Sequence, residues 1–213
     1  MIEAICGAQS ALYPGEIEAM LRLRHRVFVD RLNWVAGRGD GLERDDYDAL
    51  NPIYLLARAD DGQLLGTWRL LPTTGPYMLR DTFPELLAGT VAPSHTGIWE
   101  TSRFAVDGGL NGEAGLDAVS KATRELFCGL VELCLDLGIA EILTMYDIHI
   151  QRLLRRVGCT PKWQSERRRI GNTIAVAGRF DINETVLATF RERAEISGSV
   201  LHSHLLEVDR RAA

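Results

Sequence analysis

Apolar residues recur at intervals of three and four in several long segments of the chain, a spacing that gives a helix one apolar face. Residues 15–32 and 113–137 show it most regularly. Gly138 follows the second segment, where glycine commonly ends a helix. Two further helices are predicted for residues 148–158 and about 183–195.

Short apolar runs bounded by turn residues predict the strands. In residues 53–72, "IYLLARADDGQLLGTWRLLP", two such runs flank Asp61-Gly62, which is typical of a hairpin. Residues 96–107 predict another strand, ended by Gly108-Gly109. The remaining predicted strands are residues 140–146, 161–164 and 167–180.

Strands mixed with helices after an initial hairpin favour an antiparallel or mixed sheet over a doubly wound parallel one. No repeat, low-complexity tract or linker interrupts residues 1–213, a length that can bury a sizeable core. The sequence therefore predicts a single domain of the α/β (α+β) class, a mixed sheet flanked by helices. A polar tail from about residue 197 is expected to be mobile.

Charge and composition argue against several classes of function. The net charge of -5 argues against a general nucleic-acid or membrane-surface role, which favours excess Lys and Arg. Without a signal peptide, a membrane-length apolar run or a cysteine framework, the chain is expected to act in the cytoplasm. The histidines form no metal-ligand set, and the sequence has no nucleotide-phosphate loop and no GxSxG nucleophile elbow.

Two neighbouring segments carry opposite charge. "RLRHRVFVDRLNW" (residues 22–34) is rich in arginine, and "GLERDDYD" (residues 41–48) has four acids in eight residues. Gly37, Gly39 and Gly41 predict a loop for the acidic segment. That loop is either merely solvated or part of a pocket that needs both signs of charge.

Three charged residues interrupt otherwise apolar strands: Arg69, Glu100 and Arg103. Charges in central strands are costly unless they are paired or solvated in a cavity. Glu100 and Arg103 are three apart, so an ideal strand would direct them to opposite faces, and only a bulge would change that. A structural ion-pair network, an exposed sheet face and a functional cleft all remain open at this point.

Ten of these polar and aromatic positions match, in order and spacing, the signature of the acyl-homoserine-lactone synthases, the autoinducer synthases of bacterial quorum sensing. The strings "LRHRVFVDRLNW", "ERDDYD", "TWRLLPT", "DTFPEL" and "WETSRFAVD" resemble that family's blocks, and the likeness extends from about residue 15 to about 158. The ten positions are Arg24, Phe28, Trp34, Glu43, Asp45, Asp48, Arg69, Phe83, Glu100 and Arg103.

This resemblance implies a fold similar to the GNAT-type N-acyltransferases, with a curved mixed sheet and a V-shaped cleft. It implies an acyltransferase that joins an acyl group from acyl carrier protein to the amine of S-adenosylmethionine. Lactonisation then releases 5′-methylthioadenosine. S-adenosylmethionine is a substrate in this scheme, and no cofactor, metal, nucleic acid or stable membrane association is expected.

The resemblance also implies roles for individual residues. Glu100 is the candidate general base, with a purely structural role for it as the alternative, and Arg103 joins it as a catalytic residue. Asp45 and Asp48 would bring negative charge to the cationic substrate. The other expected S-adenosylmethionine contacts are Arg24, Phe28, Trp34 and Arg69. Arginines such as Arg24 and Arg103 would hold the carboxylate, and the aromatic faces of Phe28 and Trp34 would support the sulfonium.

The resemblance implies less about the residues that bind the acyl chain and its donor. Phe83, Thr144 and Met145 are expected in the acyl pocket, and Thr144 resembles a threonine that accompanies 3-oxo acyl donors in the family. Arg152, Arg155 and Arg156 form one basic helix face, expected to dock the acidic acyl carrier protein or else merely solvated. Some relatives use acyl-CoA, and a plain GNAT enzyme or a non-catalytic binding module remain as alternatives.

Overall fold

The computed structural model describes residues 1–35, 37–87, 89–107, 121–170 and 173–203. Its strands are β1 (Ile2–Cys6), β2 (Ile53–Arg58), β3 (Leu64–Pro72), β4 (Ile98–Val106), β5 (Glu141–Asp147), β6 (Trp163–Gln164), β7 (Arg168–Ile170), β8 (Thr173–Asp181) and β9 (Leu201–Ser203). Its α-helices are α1 (Pro14–Arg24), α2 (Met78–Asp81), α3 (Lys121–Asp136), α4 (Ile148–Arg156) and α5 (Glu184–Ala194). None of the helices in this described part combines the length and apolar composition that a bilayer crossing requires.

The strands form one mixed sheet in the order β6-β8-β5-β4-β3-β2-β1-β9, with β7 also paired to β8. The pairs β4–β5 and β1–β9 are parallel, and the other pairs are antiparallel. The expected mixed sheet with flanking helices is confirmed.

The centre of the sheet forks. The pairing of β4 with β5 runs from Ile98 and Glu141 as far as Thr101 and Thr144, although the two strands continue to Val106 and Asp147. Beyond that point the described residues show no ladder between the strands. The sheet is therefore open where the resemblance implies a V-shaped cleft.

Alternate strand residues point to opposite sides of the sheet, and helices cover both sides. Ile53 and Leu55 join the large apolar cluster that contains α3 and α5. Tyr54 and Leu56 join a second cluster with residues of α1. We call these the α3 face and the α1 face.

Strand β4 contains the bulge on which the placement of its charges depends. Thr67 of β3 pairs with Ala105, whereas Arg69 pairs with Ser102, so β4 has one residue more than its partner over this interval. Arg103 takes up the extra residue in the left-handed region, with φ of 58°. The bulge changes the alternation, so Glu100 and Arg103 can reach the same face.

Most predicted elements are present. The hairpin turns at Asp61-Gly62, where Gly62 has φ of 86°, and Gly138 ends α3 with φ of 68°. The segment predicted as one helix over residues 15–32 consists of α1 followed by a wider π-helical turn, His25–Arg31. The predicted helix start at residue 113 and the strand end at Gly108-Gly109 lie outside the described residues.

The last two strands at one end of the sheet, β1 and β9, were not predicted. β1 adds to β2 as an antiparallel neighbour, and β9, within the segment expected to be a tail, adds to β1 in parallel. The carboxylate of Glu132 in α3 accepts hydrogen bonds from the backbone N–H groups of Val200 and Leu201, at 3.0 and 2.9 Å, and so anchors the start of β9. The part of the tail that the structure describes is therefore held against the sheet.

Candidate active site

Six charged side chains form one network on the α1 face: Arg24, Arg69 and Arg103 with Glu43, Asp45 and Asp48. Arg24 lies at the end of α1, while Arg69 and Arg103 come from β3 and the bulge of β4. The three acids come from the acidic segment between the π-helical turn and β2. Three positive and three negative groups make the network neutral.

Arg24 is the most buried member. Its Nε donates to Glu43 Oε2 at 2.5 Å, and its two terminal nitrogens donate to the oxygens of Asp48 at 2.8 and 3.0 Å. Such paired, charge-assisted hydrogen bonds offset the cost of burying a guanidinium with 0% exposure. Arg24 thus ties α1 to the acidic segment.

Arg69 and Arg103 complete the network. The terminal nitrogens of Arg69 donate to both oxygens of Asp45, at 2.5 and 3.1 Å. Arg103 donates from Nε to Glu43 at 3.0 Å and pairs with Asp45 at 2.8 Å. Every carboxylate of the network is therefore shared by two arginines.

The network holds Asp48 ionised and keeps its neighbour Tyr54 protonated. Burial alone would raise the pKa of Asp48, but hydrogen bonds and charge from Arg24, together with the charge of Arg69, hold that pKa well below its usual value. Tyr54 donates to Asp48 at 2.9 Å. Burial beside this carboxylate raises the pKa of Tyr54 above its usual value, so the phenol stays protonated as a donor.

This arrangement differs from the expected placement of the acidic pair. Asp45 and Asp48 were expected to face a cationic substrate, but the structure turns their oxygens towards arginines. Arg24 and Arg69, expected as substrate contacts, also point into the network, because each is only 1% exposed in its side chain and pairs with acids. Asp46, the remaining acid of the segment, is exposed.

A cavity of about 750 Å³ opens at the fork of the sheet. It is lined from both faces by residues of the π-helical turn, α2, β4, β5, α3, α4 and α5. Seven expected site residues border it: Phe28, Trp34, Phe83, Glu100, Arg103, Thr144 and Met145. Arg24, Asp45, Asp48 and Arg69 are not among its lining residues in the described part of the chain.

Aromatic rings and one guanidinium form the α1-face end of the cavity. Phe28 and Trp34 lie on and just after the π-helical turn, with their ring centroids 6.0 Å apart. The guanidinium carbon of Arg103 lies 5.4 Å from the centroid of Phe28. Trp34 is 39% exposed, so its ring remains accessible to a ligand. π-Helical turns are often found at functional sites, since they redirect side chains.

Glu100 is the buried acid of the cavity, with 2% exposure. Its Oε1 accepts from the backbone N–H of Leu79 at 2.5 Å, and its Oε2 accepts from that of Met78 at 3.1 Å. Burial raises the pKa of Glu100 to about 7, although these two N–H groups and the charges of Arg69 and Arg103 oppose the rise. A carboxyl group with this pKa can exchange a proton near neutral pH.

The α3-face end of the cavity is apolar, and sequence reasoning missed it. The stripe of α3 was identified only as a helix core face, and no signal in one sequence separates a core residue from a pocket residue. Ser102, whose Oγ accepts from Arg69 Nε at 3.1 Å, also lines the cavity and was not singled out. The apolar wall includes Trp68, Phe104, Phe127, Leu130, Val186 and Phe190.

The basic helix face lies beside the cavity. Arg152 and Arg155 of α4 are exposed, while Ile150 and Leu154 of the same helix line the cavity. The side chain of Arg156, expected on the same basic face, lies outside the described residues.

Comparison with known proteins identifies the family of this chain. The family model described as Autoinducer synthase matches residues 8–189. An acyl-homoserine-lactone synthase of Agrobacterium fabrum is 42% identical over 168 residues, which cover 79% of this chain and 80% of that protein.

Solved structures show the same likeness. The CoA-dependent acyl-homoserine lactone synthase BjaI, with SAM and isopentyl-CoA, superimposes with a TM-score of 0.82 at 30% identity, covering 100% of this chain and 98% of that one. The AHL synthase LasI gives a TM-score of 0.76 at 33% identity, covering 95% and 97%. The expected GNAT-like fold is confirmed. The chain therefore belongs to the autoinducer synthase family, the acyl-homoserine-lactone synthases, and is an acyltransferase.

Proposed function

We propose that this acyl-homoserine-lactone synthase binds S-adenosylmethionine at the α1-face end of the cavity and the acyl chain at the α3-face end. The observation that carries the proposal is one cavity through the fork, with a buried proton acceptor and an arginine at one end and an apolar wall at the other. BjaI, which superimposes on this chain, has been solved with SAM and with MTA.

In the first step Glu100 takes a proton from the substrate amine, directly or through one water. The neutral nitrogen then attacks the acyl thioester carbonyl, forms the amide bond, and the thiol leaves. Backbone N–H groups of β4 near the bulge are candidate donors to the oxyanion of the tetrahedral intermediate. Arg103 and the ring of Trp34 hold the substrate carboxylate and sulfonium.

In the second step an oxygen of the substrate's own carboxylate attacks the substrate carbon next to the sulfonium. The carbon–sulfur bond breaks, the lactone ring closes and methylthioadenosine leaves as a neutral thioether. No cofactor is required in this proposal, because the sulfonium is already a good leaving group. Both substrates are made in the cytoplasm, which is where the proposal places the reaction.

The buried network acts through position in this proposal. Glu43 and Asp45 hold the guanidinium of Arg103, and Arg24, Arg69 and Asp48 fix those two acids in turn. Arg24, Asp45, Asp48 and Arg69 are therefore positioning residues and not direct substrate contacts. Preorganised charges at the site avoid reorganisation when the substrate reacts.

Acyl carrier protein is the donor we propose, because the exposed Arg152 and Arg155 present positive charge beside the cavity of a chain with net charge -5. The likeness to BjaI favours CoA as the second candidate. Only the carrier protein needs a protein docking surface. Activity with one acyl group, carried either by the acyl carrier protein or by CoA, therefore distinguishes the two candidate donors.

The double variant Arg152→Glu/Arg155→Glu is expected to raise KM for the acyl carrier protein about tenfold or more and to leave KM for S-adenosylmethionine nearly unchanged. Rim charges mainly speed the encounter of two proteins, and salt weakens them. The control is Arg22→Glu/Arg44→Glu, which makes the same charge change at exposed sites away from α4. If both double variants change KM for the acyl carrier protein equally, Arg152 and Arg155 do not form its docking surface.

The overall proposal is tested by incubating the protein with S-adenosylmethionine and an acyl donor and measuring methylthioadenosine and the acyl lactone by mass spectrometry. Equal amounts of both products are expected. An acylated amine without methylthioadenosine would indicate a plain N-acyltransferase, and no product with any donor would indicate a binding module.

A further inference from the structure

Glu132 is a buried acid of α3 that takes no part in the proposed reaction. Its Oε1 accepts a hydrogen bond from a terminal nitrogen of Arg191 in α5 at 2.8 Å, and its Oε2 accepts one from the hydroxyl of Ser199 at 2.7 Å. The same carboxylate accepts from the backbone N–H groups of Val200 and Leu201 at the start of β9. Glu132 therefore connects α3 with α5 and with β9. We call Glu132, Arg191 and Ser199 the Glu132 cluster.

The Glu132 cluster lies next to the apolar wall at the α3-face end of the cavity. Val131 and Phe190 both line the cavity. Glu132 follows Val131 in α3, and Arg191 follows Phe190 in α5. The ring centroids of Phe127 and Phe190 lie 5.7 Å apart, so the two helices meet at this wall. The ion pair thus connects the two helices of the wall one residue away from the cavity.

The ion pair can hold the two helices at a set distance. Arg191 Nε is buried and has no hydrogen-bond partner among the described residues, so the polar hold of Arg191 on α3 depends on its bond to Glu132. Apolar contacts are not directional, and they allow packed helices to shift against each other. A hydrogen bond requires a donor–acceptor distance within a narrow range. Without the bond, α3 and α5 would stay packed but could move apart more easily.

We propose that the Glu132 cluster limits the length of the acyl chain that the cavity accepts, because it fixes the separation of α3 and α5. The inference rests on the proposed function, in which the acyl chain binds at the α3-face end. A chain that extends past Phe127 and Phe190 must displace α5 from α3, and the ion pair opposes this displacement. Glu132 and Arg191 do not line the cavity in the described part of the chain, so they are positioning residues.

The experiment measures kcat/KM for a series of unsubstituted acyl donors of increasing length, on the acyl carrier protein and on CoA. Arg191→Met removes the bond between the helices and leaves the hydrogen bonds from β9 to Glu132. For the first donor longer than the wild-type optimum, kcat/KM relative to that of the optimal donor is expected to rise about tenfold, the discrimination that a small difference in apolar length supports. KM for S-adenosylmethionine is expected to stay unchanged.

Three further variants make the result specific, and circular dichroism checks that each is folded. Glu132→Gln removes the charge on the α3 side and is expected to shift the length profile in the same direction as Arg191→Met. Arg191→Lys keeps a cation that can pair with Glu132, and it is expected to keep the wild-type profile. Ser199→Ala removes a bond between Glu132 and the start of β9 but leaves the bond between the helices, so no shift is expected.

An equal loss for all chain lengths in Arg191→Met and Glu132→Gln would assign the cluster to folding alone and would overturn the inference. A shift of the same size in Ser199→Ala, or a wild-type protein that accepts all lengths equally, would overturn it as well. If the wild type releases no methylthioadenosine from any donor, the proposed function itself fails and the inference fails with it. Turnover by the wild type therefore distinguishes the two failures.

Discussion

Glu100→Gln is expected to lower kcat about a hundredfold or more while the protein stays folded and binds S-adenosylmethionine. The amide cannot accept the proton of the attacking amine. Because a base works only when deprotonated, wild-type activity should rise as the pH increases through about 7, the pKa to which burial raises Glu100. The variant should lose this rise, and kinetics from pH 5.5 to 8.5 measures it.

The control for this variant is Asp81→Asn. Glu100 also anchors α2 through two backbone N–H groups, so the substitution by glutamine affects the helix as well as the proton transfer. Asp81 accepts from the backbone N–H of Tyr77 at 3.1 Å at the start of the same helix, and it does not line the cavity in the described part of the chain. If both variants lose activity equally with an unchanged pH profile, Glu100 is structural and not a base.

Arg24→Met is expected to lower the free energy of unfolding by about 3–5 kcal/mol, the effect of removing one partner from a buried ion pair. The substitution leaves Glu43 and Asp48 with one arginine each and with uncompensated charge in a buried site. Urea unfolding at pH 7, followed by fluorescence and circular dichroism, measures the change.

Arg22→Met is the matched control, two residues earlier on the same helix. Arg22 pairs with Glu18 at 2.6 Å, but the two side chains are 52% and 55% exposed. Exposed pairs at this spacing contribute about 0.3–0.5 kcal/mol. A similar small loss for both variants would show that the network is as weakly coupled as a surface pair.

The network also predicts acid sensitivity. Arg24 and Arg69 hold the pKa of Asp48 below its ordinary value of 3.8, so this carboxylate contributes stability above that pH and loses it as the pH falls further. The difference in Tm between wild type and Asp48→Asn should therefore shrink from pH 6 to pH 3. A constant difference over that range would mean that the charge of Asp48 is not stabilised by the fold. Asp46→Asn, at an exposed position, should follow the wild type throughout.

The local elements and the identity of most candidate residues follow from the sequence. The hairpin at Asp61-Gly62 and the end of α3 at Gly138 depend on turn chemistry within a few residues, so they were predictable. The spacing of polar and aromatic positions was enough to indicate the family. β1 was not predictable, because its five residues become a strand only by pairing with β2.

The tertiary structure alone decided what the charged residues contact. The sequence shows arginines and acids in excess in two segments, but a pairing such as Arg69 with Asp45 depends on which segments meet in space. The bulge at Arg103 puts that residue on the same face as Glu100, contrary to the ideal alternation of a strand. The apolar cavity wall is likewise decided by packing, because a core stripe and a pocket wall have the same helical spacing. Periodicity and turn chemistry are local, whereas charge pairing and cavities arise from contacts between residues far apart in the chain.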